Sequence, residues 1–299
     1  MNRPFKAHAF ILSANIIYGL NYSIAKLALT TLPPFALVLT RVTLPVLVYG
    51  AVLKWITKEK VERKDHLAFI YCGLLGVAAN QLMFIKGLSL TSEIHASLIM
   101  ITTPILVMIM SWLILKEKLT WKKILGVLLG ASGVYYLVTL AGSTTGSPSS
   151  ITGDLLVMAN AACYGLYLVL AKPLMVKYSP YTAAFWFFFY GSLFVIPFGV
   201  PELKDIPLRA FEGAVFWSWM YVVVITTLVV YVLNMMGLKY AGPTLVSVYI
   251  YTQPLIASMV AIAIGNDTLT TAKLLAALLI FSGVALVSFT GRNRVAGKT

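Results

Sequence analysis

The chain has 299 residues, 60% of them hydrophobic and 11% charged, against about 25% charged in a soluble domain. With a mean hydropathy of +0.88 it cannot cover a globular surface with charge, which excludes the soluble, disordered and collagen-like classes. The net charge of +13 does not imply a nucleic-acid partner, because the cations sit in short segments between apolar runs and so set membrane orientation.

In chain order the apolar windows are 7–28, 34–55, 67–87, 94–115, 121–140, 153–173, 180–200, 214–236, 243–264 and 272–290. Ten spans of about 20 residues each leave enough chain for loops and tails but none for a soluble domain. Arg3 and Lys6 before the first window suggest a signal peptide, but the window is too long and no small-residue cleavage site closes it. It reads as a retained helix. Pro33-Pro34 separates spans one and two, the charged run 58–65 spans two and three, and Lys116-Glu117-Lys118 spans four and five. The Gly/Ser/Thr-rich segment 142–150 is an uncharged linker near the midpoint.

With the amino terminus inside, 17 of the 23 Lys and Arg fall in inner segments and five in outer ones (Lys26, Lys86, Lys204, Arg209 and Lys273), while Arg41 lies within span two. This places both termini in the cytoplasm, requires an even number of spans, and puts the linker outside.

The halves repeat. Tyr18-Gly19, Lys26 and Pro34 recur at an offset of 146 as Tyr164-Gly165, Lys172 and Pro180. Farther on the offset is 150, which aligns Gly87-Leu88 with Gly237-Leu238, Ser97 with Ser247, Thr102 with Thr252, Pro104 with Pro254 and Gly133 with Gly283. Each repeat holds five spans. An odd number makes the second repeat enter the membrane from the opposite side, the inverted architecture of secondary transporters, whose substrate site lies between the repeats near the midplane. The expected fold is therefore all-α and integral to the membrane: ten transmembrane helices as two inverted five-helix repeats, 1–141 and 152–299, joined by an external linker, 142–151.

Tyr18-Gly19, Lys26, Leu32-Pro33-Pro34 and Arg41, with Lys116-Glu117-Lys118-Leu119-Thr120, Gly126 and Gly133-Val134, resemble the drug/metabolite transporter superfamily and its EamA-type repeat. The resemblance covers both halves. It implies ten helices in two inverted repeats, and movement of small metabolites such as amino acids, often outward. The second half departs from the pattern: Phe187 aligns with Arg41, and Asn266-Asp267 with Lys116-Glu117, so any role of Arg41 is asymmetric.

No catalytic constellation, P-loop or HExxH motif is present. Cys72 and Cys163 have no metal-ligand spacing, so neither cofactor nor metal is expected. The ten acids all fall at span ends or in loops, and the first helix has Asn15 where the superfamily's small multidrug relatives carry an acid. Facilitated diffusion or exchange is therefore expected rather than carboxylate-based proton coupling, which needs an acid at depth. His95 opens span four, where an interfacial and a pH-sensing role are both open.

The spans instead contain amides and tyrosines. Asn15, Tyr18, Tyr22 and Lys26 form one helical face, Asn160, Tyr164 and Tyr167 repeat it, Tyr231 and Asn234 share a face of span eight, and Asn80, Tyr249 and Gln253 lie in spans three and nine. Singly, such residues suit interhelical hydrogen bonding; recurring in related helices, they predict a shared cavity for neutral or zwitterionic solutes. Arg41 lies seven residues past Pro34, about 10 Å into its helix, so it and Lys26 are charges within spans. Arg41 needs a partner, either Glu93, Asp154 or backbone carbonyls. Pro104 and Pro254 lie about ten residues into their spans as paired hinges, with Thr102, Thr103, Thr252 and Gln253 placed to satisfy the freed carbonyls. Gly126, Gly130 and Gly133 read as close-packing points, and Trp55, Trp112, Trp121 and Trp217 as an interfacial belt.

The function expected is a secondary transporter of small neutral or zwitterionic, amino-acid-like metabolites across the cytoplasmic membrane by alternating access, in the export direction. Its partners are a small-molecule substrate and the lipid bilayer, with the oligomeric state open. The rival is an exchanger of phosphorylated sugars or nucleotide-sugars, which would need several cations at depth. A non-transporting membrane protein would need no inverted repeat, and a membrane enzyme would need a buried acid, His or Cys cluster.

Overall fold

The structure, a computed structural model, describes residues 3–140, 150–263 and 268–292; most of the linker, Asn266-Asp267 and both chain ends lie outside these residues. The described residues form ten helical rods with no strand: α1 (Arg3–Ala28), α2 (Pro34–Thr57), α3 (Arg63–Leu90), α4 (93–115), α5 (Trp121–Leu140), α6 (Ile151–Lys177), α7 (Pro180–Glu202), α8 (Gly213–Tyr240), α9 (243–263) and α10 (Thr271–Arg292). Seven of them (α2, α3, α4, α6, α7, α8 and α10) are long and apolar enough to cross a membrane. In α1 the apolar run is diluted by amides and a lysine, and α9 is interrupted.

Local chemistry sets the helix ends. Pro34 and Pro180 stand at the first turns of α2 and α7, where a missing N–H costs nothing. The hydroxyls of Ser92 and Ser179 accept from the backbone N–H of His95 and Thr182. Lys58 and Lys116 close α2 and α4 in the left-handed conformation (φ 49° and 52°). Carboxylates cross between repeats. Glu202 of α7 accepts the N–H of Phe35 and Ala36 at the start of α2 (2.6 and 3.0 Å), and Glu59, beyond α2, accepts the N–H of Ser179 at the start of α7 (2.9 Å). Beside the second of these, Lys177 pairs with Asp65 and Glu62. Lys177, with Lys64, holds the Glu62 carboxyl below its ordinary value.

The helix contacts obey one pseudo-twofold relation. The first helix of each repeat packs on the third and fourth of the other: α1 on α8 and α9, α6 on α3 and α4. The second helices pair as α2–α7 and the fifth as α5–α10. At α5–α10 the backbones nearly touch: a Cβ on Gly126 would lie 2.7 Å from the Gly283 carbonyl oxygen, and one on Gly283 would lie 2.5 Å from that of Gly126. Only residues without a side chain permit such an approach.

The same relation governs two lysines and corrects one expectation. Lys26 donates to the carbonyls of Leu88 and Thr91 (2.6 and 2.8 Å), at the end of α3. Lys172 donates to those of Leu238, Lys239 and Ala241 (2.7, 3.3 and 2.6 Å), at the end of α8. Leu88 and Leu238, like Thr91 and Ala241, are 150 apart. Lys26 is thus a cation on orphan carbonyls at a helix C-terminus, not a charge facing a cavity.

The helices that carry Pro104 and Pro254 are both interrupted near those prolines. In α4 the break is at Ile101, between helical Glu93–Met100 and Thr102–Leu115; in α9 a 3₁₀ turn, Tyr249–Tyr251, precedes Thr252–Ala263. Thr102 donates to the Ile99 carbonyl (2.7 Å) and Thr252 to that of Tyr249 (2.6 Å), again 150 apart. Gln253 is not used in this way; it reaches Asn15. The breaks touch each other, with the Tyr251 hydroxyl donating to the Ile101 carbonyl (3.1 Å). Hydropathy gave no sign of a second feature: α3 and α8 each contain a π-helical stretch, Leu74–Ala79 and Tyr221–Val229, whose ends are also 150 apart.

Candidate functional site

Between the repeats lies a partly open cavity, whose empty space of about 600 Å³ includes solvent at its mouth. Eight predicted residues line it: Tyr18 and Tyr22 from α1, Arg41 from α2, Asn80 from α3, Asn160 and Tyr164 from α6, Tyr231 from α8, and Gln253 from α9. Asn21, Gln81, Phe84, Met100 and Ile250 complete the wall, and the sequence reading passed over these five. A signal existed for two of them. Gln81 stands 150 before Tyr231, and Asn21 is three residues, one helical step, past Tyr18.

Five other predicted residues are not in the wall. Asn15 stands behind it, accepting from the Gln253 amide at 2.7 Å and donating to the Ile11 carbonyl. Asn234 also stands behind, donating to the Tyr18 hydroxyl at 3.4 Å. Tyr167 is core: its ring fills the notch beside Gly76, where a Cβ would come within 2.2 Å of it, and its hydroxyl points to the Met235 sulfur. Tyr249 turns away from the cavity to His8 (2.7 Å). Lys26, as shown above, caps a helix.

The π-helical stretches explain how the polar groups are held. A π turn withdraws carbonyls from the i→i−4 ladder, and side chains then engage them. Thr227 donates to the Val222 carbonyl (2.7 Å) and accepts from Arg41 Nε (3.0 Å). Tyr49 donates to the Leu228 carbonyl, and Tyr231 to that of Gly76 (2.5 Å). At the end of the α3 stretch, Asn160 donates to the Asn80 carbonyl (2.8 Å).

Arg41 is therefore oriented by a hydroxyl, not by the carboxylate considered from sequence. Asp154 accepts from Thr91 (2.5 Å) and sits 3.2 Å from His95 Nδ1 instead. Arg41 is 5% exposed and forms no ion pair among the described residues. No acid lines the cavity among those residues, and no group of His, Cys, Asp and Glu there could hold a metal ion.

Residues 5–139 and 151–289 each match the EamA-like transporter family. The chain belongs to that family, within the drug/metabolite transporter superfamily. It is a multi-pass membrane transporter of two EamA repeats, and its substrate is a small molecule. Similar curated proteins include the uncharacterized transporter YyaM of Bacillus subtilis, 24% identical over 284 residues and covering 94% of this chain and 93% of its own. The WAT1-related protein At3g53210 of Arabidopsis thaliana is 27% identical over 305 residues, covering 90% of this chain and 79% of its own. A solved crystal structure is similar in fold, with a TM-score of 0.75 at 19% identity, covering 96% of this chain and 98% of its own.

Proposed function

We propose that this EamA transporter moves small neutral or zwitterionic, amino-acid-like solutes outward across the cytoplasmic membrane by alternating access. The observation that carries the reading is the cavity between the repeats, with one buried guanidinium, amides and tyrosines, and no acid among the described lining residues. Arg41 calls for a carboxylate, which it can bind through its remaining N–H groups; the tyrosines, Phe84, Met100 and Ile250 suit an apolar or aromatic part. An exchanger of phosphorylated sugars would place several cations there, and Arg41 is the one in the described wall.

The repeats are 1–141 and 152–299, the linker is external and both termini are cytoplasmic, as the distribution of Lys and Arg favours. Reconstitution in liposomes with labelled amino acids and phosphorylated sugars tests the substrate. Uptake of the phosphorylated solutes alone would overturn the reading. Thiol labelling of a cysteine placed at Ser147 tests the topology; modification from the cytoplasmic side alone would reverse it.

Alternating access is assigned to α4 and α9, hinged before Pro104 and Pro254. In support, the two breaks are related by the repeat and joined through Tyr251. Tyr251→Phe keeps the ring that packs against Gly130 and deletes the bond. A neutral hydrogen bond of about 1 kcal/mol, made in one state only, shifts the equilibrium about fivefold. Thiol accessibility at the two mouths should change by about that factor while thermal stability stays near wild type. Unchanged accessibility at both mouths would show that the two breaks are not coupled through Tyr251.

A further inference from the structure

The described residues contain six buried side-chain polar atoms with no hydrogen-bond partner, and three are amide oxygens of residues that line this one cavity: Asn21 Oδ1, Gln81 Oε1 and Asn160 Oδ1. The three residues are 5%, 2% and 1% exposed. Folded proteins leave few such groups without a partner, and each needs an explanation.

The orientation of two of these amides follows from their neighbours. Asn160 donates its NH₂ to the Asn80 carbonyl at 2.8 Å, an acceptor that admits no other arrangement, so its oxygen is the free end. The Tyr231 hydroxyl gives its proton to the Gly76 carbonyl, so it can only accept from Gln81, whose Nε2 lies 3.5 Å away. The Gln81 oxygen is then free as well. The residues of the wall thus carry acceptors with no protein donor, each covered in this structure, beside a guanidinium and with no acid among the described residues.

We propose that Asn21, Gln81 and Asn160 form a subsite for a protonated primary amine, and that together with Arg41 they select solutes carrying both an ammonium and a carboxylate. This rests on the transport reading above and specifies its substrate class. An ammonium brings three donors and no acceptor, the complement of three lone amide oxygens. A neutral polyol would satisfy the oxygens but leave the buried Arg41 without an anion. The fold itself already holds ammonium groups directly on carbonyl oxygens, Lys26 on two and Lys172 on three, with nearest distances of 2.6 Å and no carboxylate within ion-pair distance among the described residues.

The test is binding to the purified full-length protein in detergent. Leucine and phenylalanine are compared with 4-methylpentanoate and 3-phenylpropanoate, which lack only the ammonium. Wild type should bind the amino acids about tenfold or more tightly than their deamino counterparts. In Gln81→Leu and Asn160→Leu, checked for folding by thermal unfolding, that preference should fall to about threefold or less, with deamino-acid binding little changed; in Arg41→Ala both affinities should fall. Equal binding of amino and deamino acids by wild type overturns the subsite while leaving a carboxylate transporter standing. So does an undiminished preference in both folded Leu variants. If wild type binds neither the amino nor the deamino acids, the transport reading falls and the subsite falls with it.

Discussion

Arg41→Ala should reduce transport about thirtyfold to several thousandfold while the protein still inserts and purifies. Arg41 lies about 10 Å along α2, where a lone guanidinium costs at least about 2.5–3.5 kcal/mol on insertion scales. Part of that is offset by the Nε–H donated to Thr227, which is itself fixed by the carbonyl that the α8 π turn releases at Val222. No acid neutralises Arg41 among the described residues, so removing it should relieve the apo protein as it disables the loaded one. Truncating one side of a buried, hydrogen-bonded charge pair costs about 2–5 kcal/mol, which sets the range above. Arg41→Lys keeps the charge but not the planar fork or the Nε–H, so a loss of about tenfold is expected. Thr227→Val leaves the guanidinium in place without its support, and should raise KM more than it lowers kcat. Initial rates in proteoliposomes decide this. Wild-type rates for Arg41→Lys would exclude two-point carboxylate recognition, and wild-type rates for Arg41→Ala would make Arg41 structural.

The second large effect belongs to the seam of the fifth helices. Gly283→Val should abolish or sharply reduce folded protein, and Gly283→Ala should lower its melting temperature in detergent. The atoms a new Cβ would strike are backbone, the Gly126 oxygen at 2.5 Å and the Gly130 nitrogen at 2.7 Å, and no rotamer change can move them. The helices would have to separate, against overpacking costs of about 1–3 kcal/mol even where side chains can yield. Gly165→Ala is the control: its nearest neighbour is a Val107 methyl at 3.3 Å, so a change of a few degrees at most is expected. Equal melting of the Gly283→Ala and Gly165→Ala proteins would mean that the α5–α10 contact is not as close as described.

Composition, hydropathy and the offset of 146 to 150 residues were enough to establish the ten helices and their inverted pairing, and they pointed to a charge within α2 and to the prolines of α4 and α9. These properties are written along the chain. A span needs a run of apolar residues, and an odd number of spans per repeat forces inversion. Which residues would meet in the cavity was legible only in part, because facing is a property of packing. The helical period that grouped Asn15, Tyr18, Tyr22 and Lys26 assumes an unbroken α-helix reaching open space. Asn15 and Lys26 instead found partners on other helices, the first on α9 and the second at the end of α3. In α3 and α8 the pairs Asn80–Gln81 and Tyr231–Asn234 lie on the regular α-helix that follows each π stretch, so the helical period alone would group Asn234 with Tyr231. Packing decides instead: Gln81 joins Asn80 in the wall while Asn234 falls behind Tyr18. Tyr167 and Tyr249 show the same limit: one ring was claimed by the space beside Gly76, the other hydroxyl by His8. The sequence supplied the polar groups and their symmetry; tertiary packing decided which amide oxygens would be left without a donor, because that depends on what every neighbouring helix has already taken.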